Sequence, residues 1–435
     1  MEIELQAAEG LRGAIRVPGD KSIAHRALLL GAISNGWTRI AGVPRSADVS
    51  ATIRALGACG VQIQRNEEAV IVNGGGREAL HANGASIDCA NSGTTMRLLM
   101  GVLASHNGTV RLTGDESLSR RPMRRIAEPL ERMGATVALS GNGVAPLDVT
   151  GTASLQGIDY ELPVMSAQLK SALLIAGLGA NGRTRLRGKL RSRDHTERML
   201  PRFGAHLDVS ADEITIEGGQ RLRGTFVEVP GDPSSAAVWI AGALMTANSD
   251  ITLQDVSLNA TRTGFLDVVR RMGADVETML RRSEPEPIGS VRVRSTALRG
   301  VRLGAEEVPA IIDELPLLAV LATQAQGRTE VRGAAELRVK ESDRIDAIAE
   351  ALGAMGAQLE AFDDGFAIEG PQPLHGALID PQGDHRIAMA AAVASLAASG
   401  TTTIFDAECV GVSYPSFFRS LVTLSSSKGE VSTRI

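Results

Sequence analysis

The sequence predicts an α/β protein built from six copies of one unit, and three observations predict it. Ala-, Leu- and Met-rich helical runs recur, each followed by a Gly or Asn and then a Thr-containing strand, as in SIAHRALLLGAI before Thr38-Arg39-Ile40. The strand ends Ile40, Leu112, Leu186, Leu253, Val331 and Ile404 fall 67 to 78 residues apart. At least five units carry a second helix closed by an apolar residue or Cys, then Gly, then Ala or Val: Cys59-Gly60-Val61, Met133-Gly134-Ala135, Phe203-Gly204-Ala205, Met272-Gly273-Ala274 and Met355-Gly356-Ala357. Such glycines read as helix C-caps that feed a strand. A fixed period of this kind is the mark of an internal repeat.

The 435 residues are too many for one ordinary core and suit two domains of three units each. Val17-Pro18-Gly19-Asp20 and Val229-Pro230-Gly231-Asp232 match, and each precedes an Ala-rich helix that opens a run of three units. They read as the two passes between domains, placing one domain at 20–230 and the other at 1–19 plus 231–435. Residues 2–17 are expected as an opening strand or hairpin, and the polar tail from Ser425 is expected to fray.

Composition narrows the function. Aromatics make up only 3%, which argues against base-stacking platforms, and a net charge of −5 argues against a surface that grips nucleic acid throughout. Cys59, Cys89 and Cys409 are scattered and odd in number, so neither a disulfide framework nor a zinc site is indicated. The acidic start Met1-Glu2-Ile3-Glu4 has no secretory pattern, and no apolar run reaches the ~20 residues of a membrane span. A cytoplasmic monomer acting on small molecules is expected, with no nucleic acid, membrane or cofactor partner.

Taken in order, the units carry their polar chemistry at helix starts. Lys21, Ser22 and Arg26 sit in the first turns after a cap at Asp20 or Ser22. Unpaired backbone N–H groups favour an anion there, so these side chains make a phosphate or carboxylate seat. Asn91-Ser92-Gly93-Thr94-Thr95 opens the second unit with small residues that let a ligand approach backbone N–H groups. It is not a Walker A loop, because no Gly-Lys-Ser/Thr follows. Arg120, Arg121, Arg124 and Arg125 form a dense cationic spot in the next loop. Ser166 and Gln168 suit the hydroxyls of a polyol or ring, and Arg191, Arg193 and Asp194 follow beside a structural His195. The fourth unit, Asp232-Pro233-Ser234-Ser235, offers capping chemistry and reads as scaffold, with Leu280–Ile288 a surface excursion. In the fifth, Asp313 and Glu314 stand in an apolar context where buried acids are used or paired, with a capping role the reading for Glu314. Lys340 and Arg344 are four apart and are expected on one helix face, with Glu341 between cations that hold it ionised until a substrate approaches. Asp384-His385-Arg386 opens the sixth unit.

Together these segments resemble the 5-enolpyruvylshikimate-3-phosphate synthase family. The matching stretches are GDKSIAHRALLLGAI, NSGTTMRLL, RRPM, SAQLKSALLIAGL, SRDHTERML, VPGDPSSAA, DELPLLAVLA, RVKESDRI and DHRIAMA, running from residue 19 to about 420 in family order. The resemblance implies two inside-out α/β barrel domains, each of three βαβαββ repeats, with the ligand cleft between them. It implies a transferase of the shikimate pathway, in aromatic amino acid and chorismate biosynthesis. The enolpyruvyl group of phosphoenolpyruvate would pass to the 5-hydroxyl of shikimate 3-phosphate through a tetrahedral intermediate, releasing phosphate.

Carried over by motif, Lys21 would touch both substrates and act in catalysis. Ser22, Arg26, Ser166, Ala167, Gln168 and Arg193 would hold shikimate 3-phosphate. Asn91, Gly93, Arg121, Gln168, Arg344 and Arg386 would surround phosphoenolpyruvate. Asp313 and Lys340 would contact the reacting 5-hydroxyl, and Glu341 would exchange a proton with the methylene carbon; His385 stands beside this group. The family's metal-free chemistry implies no cofactor. The sequence departs from one branch of the family at Leu98, at Ala167 and in Gly411–Pro415, which lacks a lysine that some members direct at phosphoenolpyruvate. Gly93 is retained, which implies sensitivity to glyphosate.

Two alternatives stand beside this reading. The sister UDP-N-acetylglucosamine enolpyruvyl transferases carry Lys-Asn at the first helix and typically a cysteine before Arg-Pro, whereas Lys21-Ser22 and a cysteine-free Gly114–Arg120 stand here. A non-catalytic anion-binding homologue would have no need of Asp313, Lys340 and Glu341.

Overall fold

The computed structural model describes residues 1–425 and 432–434. The second unit gives the pattern: strand Ser86–Asp88, helix Gly93–Leu103, strand Gly108–Thr113, helix Arg124–Arg132, then strands Thr136–Ser140 and Val144–Gly151. Ser86–Asp88 pairs parallel with Gly108–Thr113, Val144–Gly151 pairs antiparallel on the other side, and Thr136–Ser140 lies at the edge. All six sheets keep this four-stranded order. The predicted glycine caps are present: Gly60, Gly134, Gly204, Gly273 and Gly356 have φ of 84°, 108°, 82°, 94° and 89°, a left-handed conformation that costs glycine least.

Three units borrow a strand from elsewhere in the chain. Phe226–Glu228 is the parallel strand beside Asn35–Ala41 of the first unit, and Arg12–Arg16 plays that part beside Asp250–Ser257 of the fourth. Glu2–Leu5 closes the sixth unit beside Thr402–Ile404. Glu2–Leu5 and Arg12–Arg16 thus lie in different sheets, and the expected hairpin over 2–17 is not formed. Ser432–Arg434 pairs antiparallel with Glu2–Leu5 rather than fraying, because that strand's second edge offers unpaired backbone groups. The rest of the expected frayed tail, 426–431 and Ile435, lies outside the described residues.

Contacts divide the chain into two units, Gly19–Val229 and Met1–Pro18 with Pro230–Ile435. In the first, the helices Lys21–Ala32, Gly93–Leu103 and Ala167–Leu178 are buried beyond their opening turns. In the second, Pro233–Met245, Leu315–Ala322 and His385–Ser395 are buried in the same way. The sheets alternate instead, as along Asn35–Ala41, where Thr38 and Ile40 face in and Trp37 and Arg39 face out. Helices apolar on every side belong inside, and half-apolar strands belong outside. This sorting restricts the buried helices' polar groups largely to the first turn, where four backbone N–H groups lack intrahelical partners. Asp20, Ser92, Ser166, Asp232 and Asp384 each satisfy one of these donors with a side-chain oxygen. Each such cap stabilises by about 1 kcal/mol.

Candidate functional site

In the unit Gly19–Val229, hydrogen bonds tie three helix starts together. Arg26, 2% exposed, donates from Nε to Thr196 Oγ1 at 2.9 Å, from Nη2 to Ser171 Oγ at 2.8 Å and from Nη1 to Ser22 O at 2.9 Å. A longer 3.5 Å bond from Nη2 to Ala167 O joins the start of Lys21–Ala32 to that of Ala167–Leu178. Arg193 Nη1 reaches Ser22 Oγ at 3.4 Å. Lys21 Nζ pairs with Asp48 Oδ2 at 2.8 Å, a partner the sequence did not reveal because it lies on the neighbouring helix Ala47–Ala58.

The other join runs through Gln168. Its amide nitrogen donates to Thr94 Oγ1 at 2.9 Å, and its oxygen accepts from Arg97 Nη1 at 2.8 Å. Arg121 Nη2 donates to Asn91 Oδ1 at 2.8 Å, and Asn91 Nδ2 donates to Asp115 Oδ2 at 2.7 Å. Gly93 opens its helix beneath these cations: a Cβ there would stand 3.1 Å from Arg97 Nη1 and 3.4 Å from Arg121 Nη1. Lys21, Ser22, Arg26, Asn91, Gly93, Arg121, Ser166, Ala167, Gln168 and Arg193 therefore gather around three helix starts. Sequence reasoning missed Arg97 as a member, since one arginine inside an apolar helical run reads as a snorkelling side chain.

A buried relay underlies this surface. His25 Nδ1 and Thr52 Oγ1 share a 2.6 Å hydrogen bond, Thr52 and Thr95 hydroxyls another of 2.6 Å, and Thr95 donates to Ser92 Oγ at 2.8 Å. Burial drives the His25 pKa down to about 4, so the imidazole is neutral at pH 7.

In the unit Met1–Pro18 with Pro230–Ile435, the centre is Arg344, 1% exposed. Its Nε donates to Asp384 Oδ2 at 2.8 Å and its Nη2 to Glu341 Oε2 at 2.7 Å, with Asp313 Oδ1 at 3.5 Å from Nη1. Burial opposes the charge, yet Asp384, Glu341 and Asp313 together hold the guanidinium above its ordinary pKa. Asp384 also caps the last buried helix by accepting from Arg386 N at 2.8 Å. Arg386 is 8% exposed, and its side chain forms no ion pair among the described residues. Asp313, Glu341 and Arg344 are thereby brought together; Arg386 joins them through its backbone N–H on Asp384, and Lys340 precedes Glu341 in the chain.

Three expectations need correction here. Lys340 and Arg344 do not share a helix face: Lys340 ends the 3-10 turn Ala335–Val339 and pairs with Glu336 at 3.5 Å, while the helix begins at Arg344 behind its cap Asp343. Glu314 caps nothing with its side chain; it is buried and accepts from Ser234 Oγ. The fourth unit is more than capping: Arg262 pairs with Asp232 at 2.8 Å, both nearly sealed from solvent, and donates to Ser234 Oγ at 3.0 Å. A buried charge lacking such partners would be strongly destabilising, which is why Arg262 and its acids occur as a set.

Among the described residues no group of His, Cys, Asp and Glu is arranged to hold a metal ion, and no helix is long and apolar enough to cross a membrane. The family model for EPSP synthase (3-phosphoshikimate 1-carboxyvinyltransferase) matches residues 5–421. A 3-phosphoshikimate 1-carboxyvinyltransferase of Synechococcus sp. (strain JA-3-3Ab) is 49% identical over 428 residues, 97% of this chain and 96% of that protein. The solved EPSP synthase of Acinetobacter baumannii is 41% identical with a TM-score of 0.86, covering 99% of each chain. The enolpyruvyl transferase NikO of Streptomyces tendae, 20% identical with a TM-score of 0.81 over 99% of each chain, shares the fold. With its mixed α/β repeats, its cationic helix starts and this likeness along nearly its whole length, the chain belongs to the EPSP synthase family.

Proposed function

We propose that this chain is a 3-phosphoshikimate 1-carboxyvinyltransferase: it moves the enolpyruvyl group of phosphoenolpyruvate to the 5-hydroxyl of shikimate 3-phosphate and releases phosphate. The observation that carries the reading is the 49% identity over 97% of the chain to a relative of that name. The reading includes two inside-out barrel domains, 20–230 and 1–19 with 231–435, that close on the ligands and complete one site. It places the reaction in the cytoplasm.

In this reading Lys21, Ser22, Arg26, Ser166, Ala167, Gln168 and Arg193 hold shikimate 3-phosphate, while Lys21, Asn91, Gly93, Arg121, Gln168, Arg344 and Arg386 receive phosphoenolpyruvate. Both ligands are anions, and cations with positive helix ends offset their repulsion. Glu341 takes up a proton as the anionic substrates approach and gives it to C3 of phosphoenolpyruvate. C2 becomes electrophilic, the 5-hydroxyl adds to it, and Asp313 takes up the hydroxyl proton while the Lys340 ammonium donates to the hydroxyl oxygen. The tetrahedral adduct then returns the C3 proton to Glu341, the C2–O bond to phosphate breaks, the departing phosphate takes the proton held by Asp313 and the enol ether forms. This sequence needs an acid and a base on one carbon centre, which Glu341 and Asp313 supply.

Phosphate release with both substrates present tests the reading. Turnover that requires both, and that UDP-N-acetylglucosamine does not replace, is expected. No phosphate release, or release only with the nucleotide sugar, refutes it.

A further inference from the structure

The buried helix Ala167–Leu178 carries a charge that the reaction chemistry does not use. Lys170 lies one turn in, 1% exposed, and its ammonium faces three acceptors. Glu197 Oε1 is 2.6 Å away, Leu190 O 3.1 Å and Ser192 O 3.2 Å. An ammonium has three N–H donors, so this set satisfies it completely. Glu197 is itself only 7% exposed. A single buried lysine binding a carboxylate on one side and two main-chain carbonyls on the other is not needed to fill an apolar helix, for which a leucine would serve.

The two carbonyls bracket Arg191, and the loop continues directly into Arg193. The far side of the same loop is pinned as well: Thr196 Oγ1 donates to Ser171 Oγ at 2.7 Å and accepts from Arg26 Nε at 2.9 Å. Arg193 reaches across to Ser22 Oγ at 3.4 Å. The loop is therefore gripped on either side of Arg193. Its leading half is held by the charge-assisted bonds from Lys170 beside backbone bonds such as Lys189 N to Leu162 O at 3.0 Å, and charge-assisted bonds are about twice as strong as neutral ones.

We propose that Lys170, with Glu197 as its counter-ion, is a positioning residue that aims Arg193 at the phosphorylated substrate. The inference rests on the reading of Arg193 as a shikimate 3-phosphate contact. Lys170 touches no ligand; it fixes the backbone from which the guanidinium projects. Of the residues assigned to phosphoenolpyruvate, Gln168 shares the Lys170 helix, but none lies on the loop that Lys170 holds.

The test is calorimetric binding of shikimate 3-phosphate to the full chain, with steady-state KM values beside it. Lys170→Met alone strands the Glu197 carboxylate and risks failure to fold, so the paired variant Lys170→Met/Glu197→Gln, which removes both charges, is measured with it. The paired variant is expected to bind shikimate 3-phosphate about tenfold more weakly or worse, the equivalent of one charge-assisted hydrogen bond. Its KM for phosphoenolpyruvate stays within about twofold, since Gln168 is held by Thr94 and Arg97 rather than by Lys170 and the other assigned contacts lie elsewhere. In an Arg193→Ala background the same pair of substitutions adds nothing, because there is no longer a guanidinium to aim. Unchanged binding in the paired variant overturns the proposal, as does an equal further loss in the Arg193→Ala background. A wild-type chain that binds no shikimate 3-phosphate overturns the functional reading and the proposal with it.

Discussion

Replacing Gly93 by alanine separates the two proposed ligands by the smallest change available. The added methyl would stand 3.1 Å from Arg97 Nη1, 3.4 Å from Arg121 Nη1 and 3.6 Å from Leu118 Cδ1. The first two gaps are tight for carbon against nitrogen, so a guanidinium must retreat by a few tenths of an ångström. Both are tethered, Arg97 to Gln168 Oε1 at 2.8 Å and Arg121 to Asn91 Oδ1 at 2.8 Å, so movement weakens the set that would receive phosphoenolpyruvate. Loss of one hydrogen bond to a charged group is worth roughly 1.5–3 kcal/mol, or about ten- to 150-fold in affinity. Alanine also raises helix propensity, by up to about 1 kcal/mol in a helix interior and less at a first turn, so stability does not fall. The assay is phosphate release with each substrate varied at saturation of the other, alongside thermal unfolding. The KM for phosphoenolpyruvate should rise about tenfold or more, that for shikimate 3-phosphate should stay within about twofold, and Tm should hold. With Gly93 in place, glyphosate should inhibit competitively against phosphoenolpyruvate, and the alanine should relieve it. An unchanged KM for phosphoenolpyruvate, or equal losses for both substrates, refutes the argument.

Asp384→Asn removes the strongest partner of the buried Arg344 and should destabilise by about 3–5 kcal/mol in urea unfolding; a loss under about 1 kcal/mol would mean that the pair is not a structural anchor. His25→Gln tests the buried imidazole, whose folded pKa of about 4 lies below the unfolded value. Its contribution is fully present above pH 6.5 and lost as pH falls through about 4, so the wild type should lose roughly 3 kcal/mol more than the variant across that window. Parallel stability–pH curves would show that His25 does not titrate this way. Burial pushes the Cys59, Cys89 and Cys409 thiols up to about 11, 12 and 12, so none should react with a thiol reagent until the chain unfolds; rapid labelling of the folded chain would contradict their burial. Glu341→Gln should abolish turnover while calorimetry still finds shikimate 3-phosphate bound; retained turnover would remove Glu341 from the proton transfer.

The repeat was legible because the chain writes it in periodic apolar runs and in glycines with a defined backbone need. Gly60, Gly134, Gly204, Gly273 and Gly356 all take the conformation that their spacing suggested. Helix starts were legible for the same reason, since Asp20, Ser92, Ser166 and Asp384 are capping residues placed before apolar runs. What stayed hidden was pairing over long separations. Nothing local joins Lys170 to Glu197, Asp232 to Arg262, or Glu314 to Ser234 eighty residues away. The sequence placed residues 1–19 with 231–435, but the sheet they enter was hidden: Arg12–Arg16 precedes the first unit's helix in sequence and is hydrogen-bonded into the fourth unit's sheet. Lys340 and Arg344 misled for a different reason. A spacing of four places side chains together only within one helix, and the cap Asp343 falls between them.

The electrostatics of the two clusters follow from charge placed at the starts of helices, where backbone donors are unpaired. Arg344 is nearly sealed from solvent and faces Asp384, Glu341 and Asp313, so its charge is largely answered within the protein. Arg386 follows Asp384 by two residues at the opening of the same helix, yet its side chain forms no ion pair among the described residues. In the proposed reading the two arginines therefore do different work. Both are assigned to phosphoenolpyruvate, but Arg344 also orders the carboxylates that handle protons, whereas Arg386 is the cation whose charge an incoming anion completes. This is why an argument from burial and partner count distinguishes roles that residue type alone does not.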